Sequence, residues 1–158
     1  MVAPLYVSRV PQNAVLDQTQ YQYWNGSSWV VNKPSAAVPI LPGTTPAKQT
    51  GFLGFLQSLF GGSKGSTTYP TVGEMSVQYN TCLNKYVIMY ADNNNNVVMR
   101  TADNPQGPWS APTTLVTSAK YPGLYAPMTD PWTNGKDIYW NMSQWGDYNV
   151  VLMHTTLA

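Results

Sequence analysis

Short segments in which apolar and polar residues alternate recur along this chain, and turns rich in Asn, Asp, Gly and Pro separate them. A period of two residues is typical of a strand that has one face buried. A continuous apolar run of similar length indicates a strand buried on both faces. The pattern predicts strands over residues 5–11, 75–79, 85–91, 97–102, 124–129, 138–142 and 149–157, with an edge strand near 115–116.

The segment 21–31 has two runs rich in aromatic and β-branched residues on either side of Asn25-Gly26. An Asn-Gly pair favours the tight turns that join antiparallel strands, because both residues accept a positive φ. The segment therefore predicts a β-hairpin.

One strand sequence returns later in the chain. VVMRTA at residues 97–102 comes back as VLMHTT at 151–156, 54 positions further on, and a weaker copy lies at residues 7–11. Repeats of this length that are built from short strands are typical of β-propeller blades. The repeat aligns Arg100 with His154, and both are expected to be solvated or to pack between blades.

The copies are too few to close a ring. The first supplies the outer half of a blade, residues 73–116 supply a whole blade, and residues 124–157 supply a blade that lacks its outer strand. We therefore expect an all-β partial propeller of about two to three blades, in a single domain over residues 1–158. Because propellers have at least four blades, its strand edges would be open. Another polypeptide could complete it, the edges could serve assembly, or the chain itself could cap them.

Residues 32–72 are rich in Pro, Gly, Ser and Thr and predict a long insertion. Within it, Phe and Leu residues at helical spacing predict a short amphipathic helix over about 51–60. Such a helix could cover an exposed blade face, contact another chain, or contact lipid.

Charged residues make up only 9% of the chain, and the net charge is +1. This balance argues against a nucleic-acid partner, because phosphate neutralisation needs clustered Lys and Arg. No apolar run approaches the ~18 residues of a membrane span. The first residues show no signal peptide.

Tyr and Trp are abundant, with 11 and 6 copies. Aromatic rings suit the flat apolar faces of sugars, although they also fill blade cores. We predict that Tyr125, Trp132 and Trp145 bind ligand. No metal or cofactor site is expected, because the single His leaves no His pair and no Gly-rich phosphate loop is present.

Several phrases resemble known families. RTADNPQGPWS at residues 100–110 resembles the blade signature of five-bladed glycosidases of the arabinanase and xylosidase type. GEMS at 73–76 with KYVIMY at 85–90, and YWNMSQW at 139–145 with YNVVLM at 148–153, resemble a mycobacterial and actinobacterial domain family of unknown function. Some of its members are endo-D-arabinanases acting on cell-wall arabinan.

The resemblance implies that this chain is the C-terminal part of such a propeller, whose other blades would carry further acidic residues. It also implies a location outside the cell or in the cell envelope, whereas the alternative of an attachment subunit would place the chain on a virion. Whether the chain is an enzyme stays open, because part of the active site would lie in the other blades.

Two carboxylates are predicted to be catalytic, because glycoside hydrolysis uses a pair of them. Glu74 opens the innermost strand of the complete blade, where related glycosidases place a general acid, and Asp130 is expected near the same rim of the next blade. The remaining Asp residues are expected to shape turns.

Two functions follow from these features. The first is recognition of cell-envelope arabinan, with hydrolysis if a partner supplies the missing carboxylate. The second is a structural or attachment subunit without catalytic activity, for example in a phage particle. A polysaccharide is the expected ligand, and another chain or a second copy is expected to complete the propeller.

Overall fold

The computed structural model of the protein describes residues 3–43 and 67–157. In these ranges the chain forms ten β-strands in three antiparallel sheets. The helix predicted over about 51–60 lies outside the described residues. The described ends of the insertion belong to the folded core, because Leu41 is buried and Val72 pairs with Ala3.

The first sheet contains three short strands, β1 (Ser8–Arg9), β2 (Gln22–Trp24) and β3 (Trp29–Val31), in that spatial order. Its hairpin turns as predicted. Gly26 has a φ of 97°, and the Asn25 side-chain oxygen accepts hydrogen bonds from the backbone N–H groups of Ser27 and Ser28.

The second sheet is a complete blade of four strands in sequence order. They are β4 (Met75–Asn80), β5 (Lys85–Ala91), β6 (Val97–Ala102) and β7 (Thr113–Val116). The predicted bounds of β5 and β6 are confirmed.

The third sheet contains β8 (Leu124–Thr129), β9 (Asp137–Gln144) and β10 (Asn149–Thr156). Within the described ranges it has no fourth strand, as the sequence predicted. The repeated sequences form β6 and β10, each the third strand of its own sheet.

The second sheet is buried on both faces. On one face Ile88, Tyr90 and Val98 pack with Leu5, Leu41 and Val72, which flank the first sheet or precede the second, and with Trp109 from the connection between β6 and β7. On the other face Met89 and Val97 pack against the third sheet through Leu124, Ile138, Trp140 and Met142. Successive sheets therefore stack face to face, as the blades of a propeller do.

The innermost strands β4 and β8 lie side by side and run in the same direction. Ser76 Oγ lies 2.8 Å from Thr129 Oγ1 and accepts a 2.9 Å hydrogen bond from the Thr129 N–H. Further along, Gln78 and Asn80 donate to the carbonyls of Thr133 and Gly135. The parallel inner strands identify the fold as a partial β-propeller.

Two groups of apolar side chains remain exposed. Met75, Val77 and Tyr79 of β4 lie at the inner edge of the second sheet, and Val150 and Leu152 of β10 lie on the open face of the third. In a closed ring a neighbouring blade would cover side chains in these positions.

Ser76→Ala is expected to cost about 1–3 kcal/mol of folding free energy, because the buried Thr129 N–H loses its hydrogen-bond acceptor. Urea unfolding followed by tryptophan fluorescence measures the cost. The control Ser8→Ala, at an exposed strand position, is expected to stay within about 0.5 kcal/mol of the wild type. Equal stability of the two variants would contradict a structural role for the Ser76–Thr129 contact.

Candidate functional site

One end of the sheets gathers four connecting segments, which we call the loop face. It lies where β4 and β8 begin, and it consists of residues 67–74, 92–96, 117–123 and 145–148. Hydrogen bonds join these segments. The Ser118 N–H donates to the Asn96 side chain over 3.1 Å, and the Trp145 N–H donates to the Gly123 carbonyl over 2.9 Å. The loop face is therefore a continuous surface over two blades.

Glu74 lies on the loop face, at a bend directly before β4, and it is exposed. Among the described residues its carboxylate has no hydrogen bond or ion pair. The Glu74 carboxylate is thus available to a ligand and is not tied to a turn.

Asp130 lies elsewhere. It follows Thr129 directly and opens the turn that packs against the far end of β4, through the Thr133 and Gly135 carbonyls. Its carboxylate accepts a 3.0 Å hydrogen bond from the Trp132 N–H, which stabilises that turn. Ser76 lies opposite Thr129 in the parallel strands β4 and β8. Glu74 precedes Ser76 by two positions and Asp130 follows Thr129 by one, so the two residues lie about three strand positions apart, or roughly 10 Å along the strands. The structure does not bring the two candidate carboxylates into contact.

Three aromatic rings, the partly buried Tyr125 and the exposed Trp145 and Tyr148, form a cluster at one corner of the loop face. The ring centroids of Tyr125 and Trp145 are 5.9 Å apart, and those of Trp145 and Tyr148 are 5.6 Å apart. Trp145 is 64% exposed and Tyr148 74% exposed. The cluster joins two predicted ligand-binding residues and adds Tyr148, which sequence reasoning missed although it closes the same turn. Asp147, assigned to turn formation from the sequence, is also exposed here.

Trp132, the third aromatic predicted to bind ligand, does not join the cluster. It is 86% exposed and lies in the turn between β8 and β9, with Asp130. The predicted site residues therefore fall into two groups, with Glu74, Tyr125 and Trp145 near the loop face and Asp130 and Trp132 beyond the Ser76–Thr129 contact.

A polar cluster lies on the exposed face of the third sheet. Asp137 Oδ1 accepts a 2.8 Å hydrogen bond from the Thr156 hydroxyl and lies 2.9 Å from His154 Nε2. The Tyr139 ring stacks on the His154 ring with centroids 4.6 Å apart. The hydrogen bond from Thr156, followed by that from His154, lowers the pKa of Asp137 below its usual value.

Within the described residues, no group of three His, Cys, Asp or Glu side chains is placed to hold a metal ion. In the same part of the chain no helix has the length and apolar character needed to cross a membrane.

The fold and the loop face together define a partial β-propeller whose connecting turns present free polar and aromatic side chains at one end. The family described as a domain of unknown function, DUF4185, matches residues 2–154, and the chain belongs to this family. It is the family that includes endo-D-arabinanases, so the resemblance found in the sequence is confirmed at the level of the family.

The chain is also similar to a curated protein, "Notoamide biosynthesis cluster protein J'" from Aspergillus versicolor. The two are 30% identical over 147 residues, which cover 90% of this chain and 33% of that protein. The chain thus spans about a third of the length of this relative.

We predict that Thr156→Val raises the pKa of Asp137, because the variant removes the hydrogen bond that contributes most to lowering it. A carboxylate whose pKa is lower in the folded than in the unfolded state stabilises the fold at pH values above its unfolded pKa of about 3.9. This stabilisation is lost as the pH falls through the lower pKa of the folded state. Carboxyl ¹³C chemical shifts followed from pH 6 to pH 2 measure the titration.

The matched control is Thr117→Val, which changes an exposed Thr remote from Asp137. It is expected to leave the Asp137 titration where it is in the wild type. An Asp137 that titrates identically with and without the Thr156 hydroxyl would contradict the assignment.

Proposed function

We propose that the loop face binds a polysaccharide of the arabinan type in a cell envelope. The observation that carries this proposal is the cluster in which the exposed rings of Trp145 and Tyr148 lie beside Tyr125. Membership of a family that includes endo-D-arabinanases supports the choice of glycan. The protein would then act outside the cell or on a particle surface.

The chemistry of the cluster suits a sugar. A furanose or pyranose ring has C–H groups on its faces and hydroxyls at its edge. Trp145 and Tyr148 expose apolar ring faces, and contact between these faces and water is unfavourable. A sugar ring that packs on them displaces this water. The exposed carboxylate of Asp147, between them in sequence, can accept hydrogen bonds from sugar hydroxyls.

Glu74 is the residue we assign to acid chemistry, if the glycan is hydrolysed. Its carboxylate has no hydrogen bond among the described residues, so the group can reach a glycosidic oxygen. Hydrolysis needs a second carboxylate, generally within about 5–9.5 Å of the first. Because Asp130 stabilises a turn further along β4, the second group would come from blades in another chain or from the remainder of a longer protein.

Trp145→Ala is expected to weaken arabinan binding about tenfold, which corresponds to ~1.4 kcal/mol of lost apolar burial. Affinity electrophoresis in gels containing arabinan measures the change. The matched control is Trp132→Ala, an exposed Trp outside the cluster, which is expected to bind as the wild type does. Equal losses in both variants would contradict a site at the cluster, and no retardation of the wild type would contradict the function.

Digestion of arabinan by the isolated chain separates recognition from catalysis. Binding without release of reducing ends is the expected result, and Glu74→Gln is expected to leave binding unchanged within about twofold. Release of reducing ends that disappears in Glu74→Gln would instead show that this chain alone is the enzyme.

A second candidate function is that of a structural or attachment subunit, as in a phage particle. The two exposed groups of apolar side chains, on β4 and on β10, favour it, because exposed apolar patches commonly mark protein interfaces. In this role another chain or a second copy would supply the adjoining blades.

We predict that the wild type self-associates and that Leu152→Glu shifts it to the monomer, because a carboxylate cannot be buried unpaired in an apolar interface. Sedimentation velocity across a tenfold concentration range measures the change. The matched control, Asn149→Glu, adds the same charge at an exposed position at the start of β10 and is expected to behave as the wild type does. A wild type that stays monomeric throughout would contradict pairing with a second copy.

A further inference from the structure

Arg100 is a buried cation in the middle of β6. The residue is only 6% exposed, although its guanidinium is always charged in proteins. Its Nε donates to the Tyr90 hydroxyl over 2.9 Å, and its Nη1 donates to the Ser110 carbonyl over 2.7 Å. These contacts fix the guanidinium in place, and both acceptors are uncharged.

Arg100 forms no ion pair with a carboxylate in the part of the chain that the structure describes. The ion pairs among the described residues are Lys85–Asp103 and His154–Asp137, and both lie elsewhere. Removing a charge from water without a counter-ion costs several kcal/mol, and buried charges are generally paired for this reason. Arg100 is therefore an exception to the pairing of buried charges, and a bound anion would supply the missing counter-charge.

A cleft of about 250 Å³ opens beside the guanidinium, on the loop face. Its lining includes Tyr69, Thr71, Asp92, Asn93 and Arg100. Among the described residues, Trp109 Nε1 is the one fully enclosed side-chain polar atom without a hydrogen bond. Arg100 Nη2 also has no hydrogen bond within residues 3–43 and 67–157, so it is not fully enclosed, and Arg100 lines the cleft.

Neither Asn93 nor Asp92, the two polar residues of the cleft described next, forms a hydrogen bond with Arg100 Nη2. Asn93 accepts the Thr71 hydroxyl with its side-chain oxygen, so its amide NH₂ can donate to a ligand. The carboxylate of Asp92 is occupied by its own turn, since Oδ1 accepts from the N–H groups of Asn94 and Asn96 over 2.9 and 2.8 Å. Asp92 Oδ2 is 3.5 Å from the Asn96 side-chain nitrogen. Asp92 moderates the positive potential of the cleft without pairing with Arg100.

We propose that this cleft binds the oxyanion of a small hydroxylated molecule, a carboxylate or a phosphate ester, between Arg100 Nη2 and the Asn93 amide. Guanidinium groups bind both anions through charge-assisted hydrogen bonds. The volume lies just below the usual range for ligand pockets, so a ligand about the size of one sugar ring fits. The site is separate from the aromatic cluster and does not depend on arabinan binding there.

The test is NMR titration of the ¹⁵N-labelled protein with three probes, glucuronate, glucose 6-phosphate and glucose. One or both of the anionic probes are expected to shift the Arg100 Nε–Hε signal and the amides of residues 92–96, whereas glucose leaves them in place. The more effective anion identifies the group that the cleft prefers. No shift with either anion, or equal shifts with glucose, would overturn the proposal.

Variants test the residues themselves. Arg100→Gln is expected to weaken binding of the preferred anion at least tenfold, and Asn93→Ala about threefold, since one neutral donor is lost. Because Asn93 is exposed, that variant remains informative if Arg100→Gln does not fold. The control Arg9→Gln removes the same charge from an Arg that lies over the Trp29 ring in the first sheet. The Arg9→Gln variant is expected to bind the preferred anion with unchanged affinity. A loss of affinity equal to that of Asn93→Ala would overturn the proposed site.

Discussion

The structure depends on the burial of both faces of the second sheet. In β5 four consecutive residues, Val87 to Tyr90, are buried, which requires apolar cover on each side. The first sheet and its flanking segments supply the cover on one side, and the third sheet supplies it on the other. A single sheet with this sequence would leave both apolar faces in water. The stack of sheets, and hence the propeller arrangement, follows from that requirement.

This stacking also determines where binding groups can gather. Because β4 and β8 run in the same direction, the turns that precede them reach the same end of the molecule, and so do the turns that follow the second strand of each sheet. The cleft at Arg100 belongs to one blade and the aromatic cluster to the next. Each turn can change in sequence without disturbing the core beneath it, so one scaffold can present different ligand groups.

The strands could be predicted because their signal is local. The alternation and the apolar runs gave β5, β6 and β8 with the bounds that the structure shows. The segment 5–11 was predicted as a strand, but the strand comprises only Ser8–Arg9, since its pairing with the short strand β2 covers only these two residues. The aromatic cluster was predicted only residue by residue, because Tyr125 meets Trp145 through the pairing of β8 with β9, which a single sequence does not reveal.

Arg100 shows why the cleft could not be predicted from the sequence repeat. The sequence aligns Arg100 with His154. Ile88 of β5 and Trp140 of β9 correspond, because each faces the preceding sheet, but Arg100 pairs with Ile88 whereas Met153 pairs with Trp140. The structural repeat is therefore offset by one residue from the sequence repeat in this strand. Since a shift of one residue exchanges the two faces of a strand, Arg100 points towards the preceding sheet and is buried, whereas His154 lies on the open face. A buried cation thus replaces an apolar core position, and the cleft beside it follows from that exchange.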